Sequence, residues 1–68
     1  MTDAEFRTLT ILADEGPQWN GNLGVKTHLA WNSAVFKRLE RRGLVSGHPM
    51  KITPKGIRAL ASAAQCHS

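Results

Sequence analysis

Leu39-Glu40-Arg41-Arg42-Gly43-Leu44-Val45, inside the run RLERRGLVSG at residues 38–47, marks a change of backbone period. Upstream, Val35, Phe36 and Leu39 recur at the spacing of one helical face, with Ser33, Ala34, Lys37 and Arg41 turned the other way. Downstream, Leu44-Val45-Ser46 reads as a short strand. Gly43 suits the position just past a helix, where the backbone turns left-handed. A charged helix therefore ends at Gly43 and a strand begins. Three arginines crowd that end. A helix C-terminus favours cations by roughly 0.3–1 kcal/mol each, which accounts for Arg41 and Arg42 but leaves Lys37 and Arg38 unexplained.

The pattern extends in both directions. Asn32 is a good cap for the charged helix, and Trp31 and Phe36 are spaced as a hydrophobic staple around it. Met50-Lys51-Ile52 is a second strand, and Gly47-His48-Pro49 makes the turn of a small hairpin. Thr53 caps a last helix with Pro54 in its first position. Ile57, Leu60, Ala61 and Ala64 form that helix's expected buried stripe, and residues 65–68 are expected to fray. At the other end, Thr2 and Glu5 form a capping box. Phe6, Leu9, Leu12 and Ala13 follow at helical spacing until Gly16-Pro17 stops the helix. The connector PQWNGN, residues 17–22, offers Trp19 as a core or strand anchor and Asn20-Gly21 as a turn. Asn22 then caps a short helix over about 22–30, with Val25 and Leu29 on one face and Gly24 weakening it.

Sixty-eight residues in this order predict one compact domain, mainly α with a small β hairpin, with an ordered core over about 3–64. Cys66 is the single cysteine, so no internal disulfide can form, and it reads as a bystander thiol in the tail. No apolar run approaches the roughly 18 residues a membrane span needs, and the N-terminus lacks the blocks of a signal peptide. A soluble cytoplasmic protein without membrane contact is expected. His28, His48 and His67 are scattered away from any cysteine or carboxylate at ligand spacing, so neither a metal nor a cofactor is expected. No nucleophile motif, phosphate-cradling loop or acid/base pair is present, so the chain does not read as an enzyme.

Charge is unevenly distributed. Residues 1–25 set Arg7 against Asp3, Glu5, Asp14 and Glu15, a net −3. Residues 26–58 set Lys26, Lys37, Arg38, Arg41, Arg42, Lys51, Lys55 and Arg58 against Glu40, a net +7. Such an excess is either an electrostatic footprint for nucleic acid or a solvated face that keeps the domain soluble.

The element order, with Leu39-Glu40-Arg41-Arg42-Gly43-Leu44-Val45 and Ile52-Thr53-Pro54-Lys55-Gly56, resembles the winged helix-turn-helix family, in particular the MarR-like transcription regulators. The resemblance covers residues 4–64 in element order and these two segments as motifs. It implies a winged-helix fold, with the third helix entering the major groove of double-stranded DNA and the hairpin as the wing. On that footing Ser33, Ala34, Lys37 and Arg41 face the groove, Lys26, Thr27, Arg38 and Arg42 meet phosphates, and His48 and Lys51 belong to the wing. Lysine and arginine donate to guanine O6 and N7, and small residues permit close approach.

The chain departs from that pattern in its short wing, whose tip carries no arginine, and in its compressed second helix. It also lacks the long terminal helices by which MarR-like proteins dimerise, so a monomer or weak dimer is expected. A second reading is therefore a winged-helix adaptor or inhibitor, of the kind phage and mobile elements encode, engaging an acidic protein surface. RNA binding through the same basic patch is a third.

Overall fold

Thr2 starts the chain's first element as the capping box predicts. Its hydroxyl accepts from the Glu5 N–H at 3.2 Å, while the Glu5 carboxylate accepts from the Thr2 N–H at 3.1 Å. In the computed structural model, which describes the backbone of residues 1–67 and the side chains of residues 1–65, this cap opens α1, Asp3–Glu15. The Gly16 N–H closes the helix on the Leu12 carbonyl. Leu9 and Leu12 are buried as expected, but Ala13 faces out and Phe6 is half-buried. Glu5 and Thr8 complete the inward face, and the Thr8 hydroxyl donates to the Ala4 carbonyl.

The connector differs from its sequence reading. Gln18, rather than Trp19, pairs with the hairpin: its N–H donates to the Met50 carbonyl at 2.9 Å, and its carbonyl accepts from the Met50 N–H at 2.8 Å. Side chains alternate along extended backbone. With Gln18 half-buried, Trp19 points outward and is 62% exposed, so it anchors no core.

Trp19 also sits at the N-cap of α2, Asn20–Thr27, which starts two residues before Asn22 and stops at His28 rather than at residue 30. The chain past α2 folds back over Gly24. The Leu29 N–H donates to the Gly24 carbonyl at 2.8 Å, and a Cβ on Gly24 would lie 2.5 Å from the Leu29 carbonyl oxygen. That close approach selects the face. Leu23, Gly24 and Thr27 turn inward and Val25 outward.

The third helix, α3, spans Ala34–Arg41. Ser33, not Asn32, is its N-cap, with its Oγ accepting from the Val35 N–H at 3.2 Å. The one-residue shift dissolves the expected staple, because the flanking pair becomes Asn32 and Lys37. Trp31 is 66% exposed. Phe36 and Leu39 are buried, and Val35 packs half-buried against them.

At the other end, Gly43 at φ 75° forms a Schellman turn. Its N–H donates to the Glu40 carbonyl, and the Leu44 N–H reaches back to the Leu39 carbonyl, both at 3.0 Å. Leu39 and Leu44 are both buried beside that turn.

The hairpin is two residues per strand, β1 Val45–Ser46 and β2 Lys51–Ile52, antiparallel with Val45 opposite Ile52 and Ser46 opposite Lys51. The turn between them contains a cis His48–Pro49 peptide.

Thr53 then works in two directions. Its hydroxyl accepts from the Gly56 N–H at 3.0 Å, and it donates to the Gly43 carbonyl at 2.7 Å, tying the start of the last helix to the end of α3.

That last helix, α4, runs Pro54–His67, past the expected fraying point. Its inward residues are Gly56, Ala59, Leu60 and Ala63, so Ile57, Ala61 and Ala64 lie on the outer side, with Ile57 53% exposed. Gly56 sets this rotation. A Cβ there would fall 2.2 Å from the Leu44 carbonyl oxygen and 2.7 Å from Ile52 Cγ1, so the helix seats its glycine on the hairpin backbone. The side chain of Cys66 and the residue Ser68 lie outside the described residues.

The core is Leu9, Leu12, Leu23, Phe36, Leu39, Leu44, Val45 and Met50, drawn from α1, α2, α3 and the hairpin region. Three helices, a small antiparallel hairpin and a closing helix make a winged helix: α2 and α3 form its helix-turn-helix and the hairpin its wing.

Candidate nucleic-acid interface

Burial of Val35, Phe36 and Leu39 fixes which way α3 faces. Ala34, Lys37, Arg38 and Arg41 are consequently exposed and line one shallow hollow on its outer side. Lys37 and Arg41 make no ion pair among the described residues, and the small Ala34 leaves the first turn open. Ser33 lies at the same end but is half-buried, and its oxygen already accepts the capping bond.

Arg38 and Arg42 are placed differently from the free cations. One turn apart, both reach back to Glu5, a carboxylate that is itself only 2% exposed. Arg42 Nη1 lies 3.2 Å from Glu5 Oε2, and Arg38 Nη1 lies 3.9 Å from Oε1. Burial pushes the Glu5 carboxyl up. The Thr2 N–H and hydroxyl, then the charges of Arg42 and Arg38, outweigh it and hold the carboxyl below the usual glutamate range. The two arginines keep about half their side-chain surface in solvent. They retain donors for an outside anion while Glu5 restrains them from behind.

This contact was missed in the sequence, although a signal was present. Glu5 stands four residues before Leu9 and seven before Leu12, on the buried stripe of α1. A carboxylate in that register needs a cationic partner from elsewhere in the chain.

The remaining expected residues separate. Thr27 is 4% exposed and its hydroxyl donates to the Leu23 carbonyl at 2.8 Å, so it leaves the candidate surface. In a buried last turn the nearest acceptor for that hydroxyl is its own helix. Lys26 is ion-paired with Glu15 at the end of α1. His48 and Lys51 are exposed on the hairpin, apart from the hollow on α3. No group of three or more His, Cys, Asp or Glu side chains among the described residues is arranged to hold a metal, and no described helix is long and apolar enough to cross a membrane.

The fold and its exposed basic helix define a winged-helix protein of MarR-like architecture. The solved structure of a MarR family protein from Bacillus stearothermophilus superposes with a TM-score of 0.78 at 30% sequence identity. The match covers 96% of this chain and 52% of that one, so this chain spans about half the length of its structural relative. No family model and no curated protein sequence matches the chain.

Proposed function

We propose that the protein binds double-stranded DNA as a small transcription regulator in the cytoplasm, with α3 in the major groove. The observation that carries this reading is the outer face of α3, where Lys37 and Arg41 project beside Ala34 without a carboxylate partner among the described residues. In a groove about 12 Å wide, their N–H groups donate to guanine O6 and N7, and Ser33 and Ala34 allow the helix to approach closely. Arg38 and Arg42 act on phosphates from the flank, held in position by Glu5. Lys26 can serve the backbone only by exchanging its Glu15 partner. His48 and Lys51 form the wing contact. The reading requires no cofactor or metal and places the chain as a monomer or weak dimer with no catalytic activity.

Titration of random-sequence duplex DNA at two salt concentrations tests it. Neutralising about four phosphates costs about a hundredfold in affinity between about 50 and 200 mM salt.

A second reading is favoured by the wing tip, Gly47-His48-Pro49, which carries no arginine for a minor groove. In that reading the same basic face captures an acidic protein surface. Wild-type protein would then show negligible duplex affinity at physiological salt.

A further inference from the structure

Two tryptophans remain unused by the core and by the α3 hollow. Trp19 caps α2 by position, without a side-chain capping bond, and Trp31 lies two residues before the Ser33 cap of α3. Both are mostly exposed. A large apolar ring left in water forgoes burial that would stabilise a small domain with a limited core.

The two positions are linked. The Asn20 side-chain amide, next to Trp19, donates to the Trp31 carbonyl at 3.4 Å. That bond joins the N-terminal end of α2 to the residues leading into α3, so the two tryptophan positions lie at one end of the helix-turn-helix. The segment that carries them holds charge of one sign, with Lys26 paired to Glu15 just outside it. Residues 16–39 contain Lys26, Lys37 and Arg38 and no aspartate or glutamate. An aromatic pair in a segment free of carboxylates complements a polyanion with apolar surface between its charges. The sugar–phosphate backbone of DNA is such a surface. Deoxyribose offers apolar faces to the rings, and phosphate oxygens accept from the indole N–H, a group that donates only.

We propose that Trp19 and Trp31 form a second DNA contact, packing on the sugar–phosphate backbone beside α3 and donating their indole N–H groups to phosphate oxygens. This deepens the DNA-binding reading above and rests on it. The pair positions the duplex and sets how far α3 enters the groove, while Lys37 and Arg41 meet the bases.

The chain suits a direct test, because it has two tryptophans and no tyrosine, so its near-ultraviolet emission reports these two sites alone. Emission is followed while a random-sequence duplex is added to wild type, Trp19→Phe, Trp31→Phe, Trp31→Ala and Lys37→Ala. Thermal melts are recorded alongside. Wild-type emission should be quenched at saturation, and each phenylalanine variant should keep part of that signal. Trp31→Ala should bind about tenfold more weakly, the loss of one hydrogen bond to a charged group, and Trp31→Phe should lose most of that factor. Melting temperatures should stay near wild type, since both rings are exposed.

Duplex binding that depends on Lys37 but leaves emission and all tryptophan variants unchanged overturns the aromatic contact and spares the DNA-binding reading. Absence of duplex binding in wild type overturns both. Emission that shifts with protein concentration before DNA is added assigns the rings to a contact between copies and overturns the proposal.

Discussion

Arg42 Nη1 stands 3.2 Å from Glu5 Oε2, joining residues 37 positions apart in the chain. This contact gives Arg42 a partner beyond the helix C-terminus, which favours cations by itself. Arg42 braces α3 against the first turn of α1, Lys37 and Arg41 project from its outer side, and Arg38 borders both, 3.9 Å from Glu5 and on the rim of the outer hollow. The basic helix is thus two rows of charge with different tasks. Glu5→Ala and Arg42→Ala should each destabilise the fold, Glu5→Ala the more, because it also removes half of the capping box. A double-mutant cycle between them by chemical denaturation should give a coupling of about 0.5–1 kcal/mol, kept small by the half-exposed Arg42 side chain. A coupling of zero would show that the pair does not brace the helix.

The same carboxylate sets an acid dependence. The folded Glu5 carboxyl sits below its unfolded value, so the unfolded chain binds more protons in the acid range. The stabilisation is complete above the usual glutamate value, about 4.3, and is lost as pH falls through the lowered folded value. Glu5→Gln should therefore be less stable than wild type at neutral pH and lose less on acidification. Denaturation midpoints measured from neutral to acid pH should converge; parallel curves would contradict the assignment.

Gly56 seats α4 on the hairpin. Gly56→Ala should destabilise by more than about 1 kcal/mol despite alanine's better helix propensity, because its Cβ meets the Leu44 carbonyl oxygen at 2.2 Å. Gly21, also helical, has nothing within 4 Å of an added Cβ. Gly21→Ala should stabilise by up to about 1 kcal/mol. Thermal melts of the two variants should move in opposite directions.

Leu39 is fully buried, one end of the Schellman turn that leads into the hairpin. Leu39→Ala should cost about 2–5 kcal/mol, a large fraction of what a domain of this size has. A denaturation midpoint equal to wild type would mean that α3 buries a different face.

The fold was legible where local chemistry and periodicity agreed. Thr2 and Glu5 placed the first helix, Gly43 stopped the third, and Thr53-Pro54 opened the last, because each cap is completed within a few residues of itself. Readings failed where a distant backbone decided the outcome. Gly24 and Gly56 look like weak helical positions in sequence, yet each is a point of close approach that rotates its helix, exposing Val25 and Ile57. Trp19 reads as a core or strand anchor and Trp31 as half of a staple, yet the Gln18–Met50 pairing and the Ser33 cap leave both exposed. On the candidate surface, the outer row of α3 followed from helical phase. The tether of Arg38 and Arg42 to Glu5 and the burial of Thr27 depend on how α1 and α2 pack, which their own residues do not display.

A proposed role for the outer row of α3 in reading DNA predicts base discrimination that depends on Lys37 and Arg41. The most direct measurement is fluorescence anisotropy of labelled duplexes, a preferred site against random sequence, with wild type, Lys37→Ala, Arg41→Ala and Arg42→Ala. Lys37→Ala and Arg41→Ala should each cost about 1–3 kcal/mol on the preferred site, much less on random sequence, and leave the melting temperature near wild type. Arg42→Ala should weaken both duplexes alike and reduce the salt slope by about one. Wild-type affinity that is negligible at physiological salt and indifferent to all three substitutions would contradict the account.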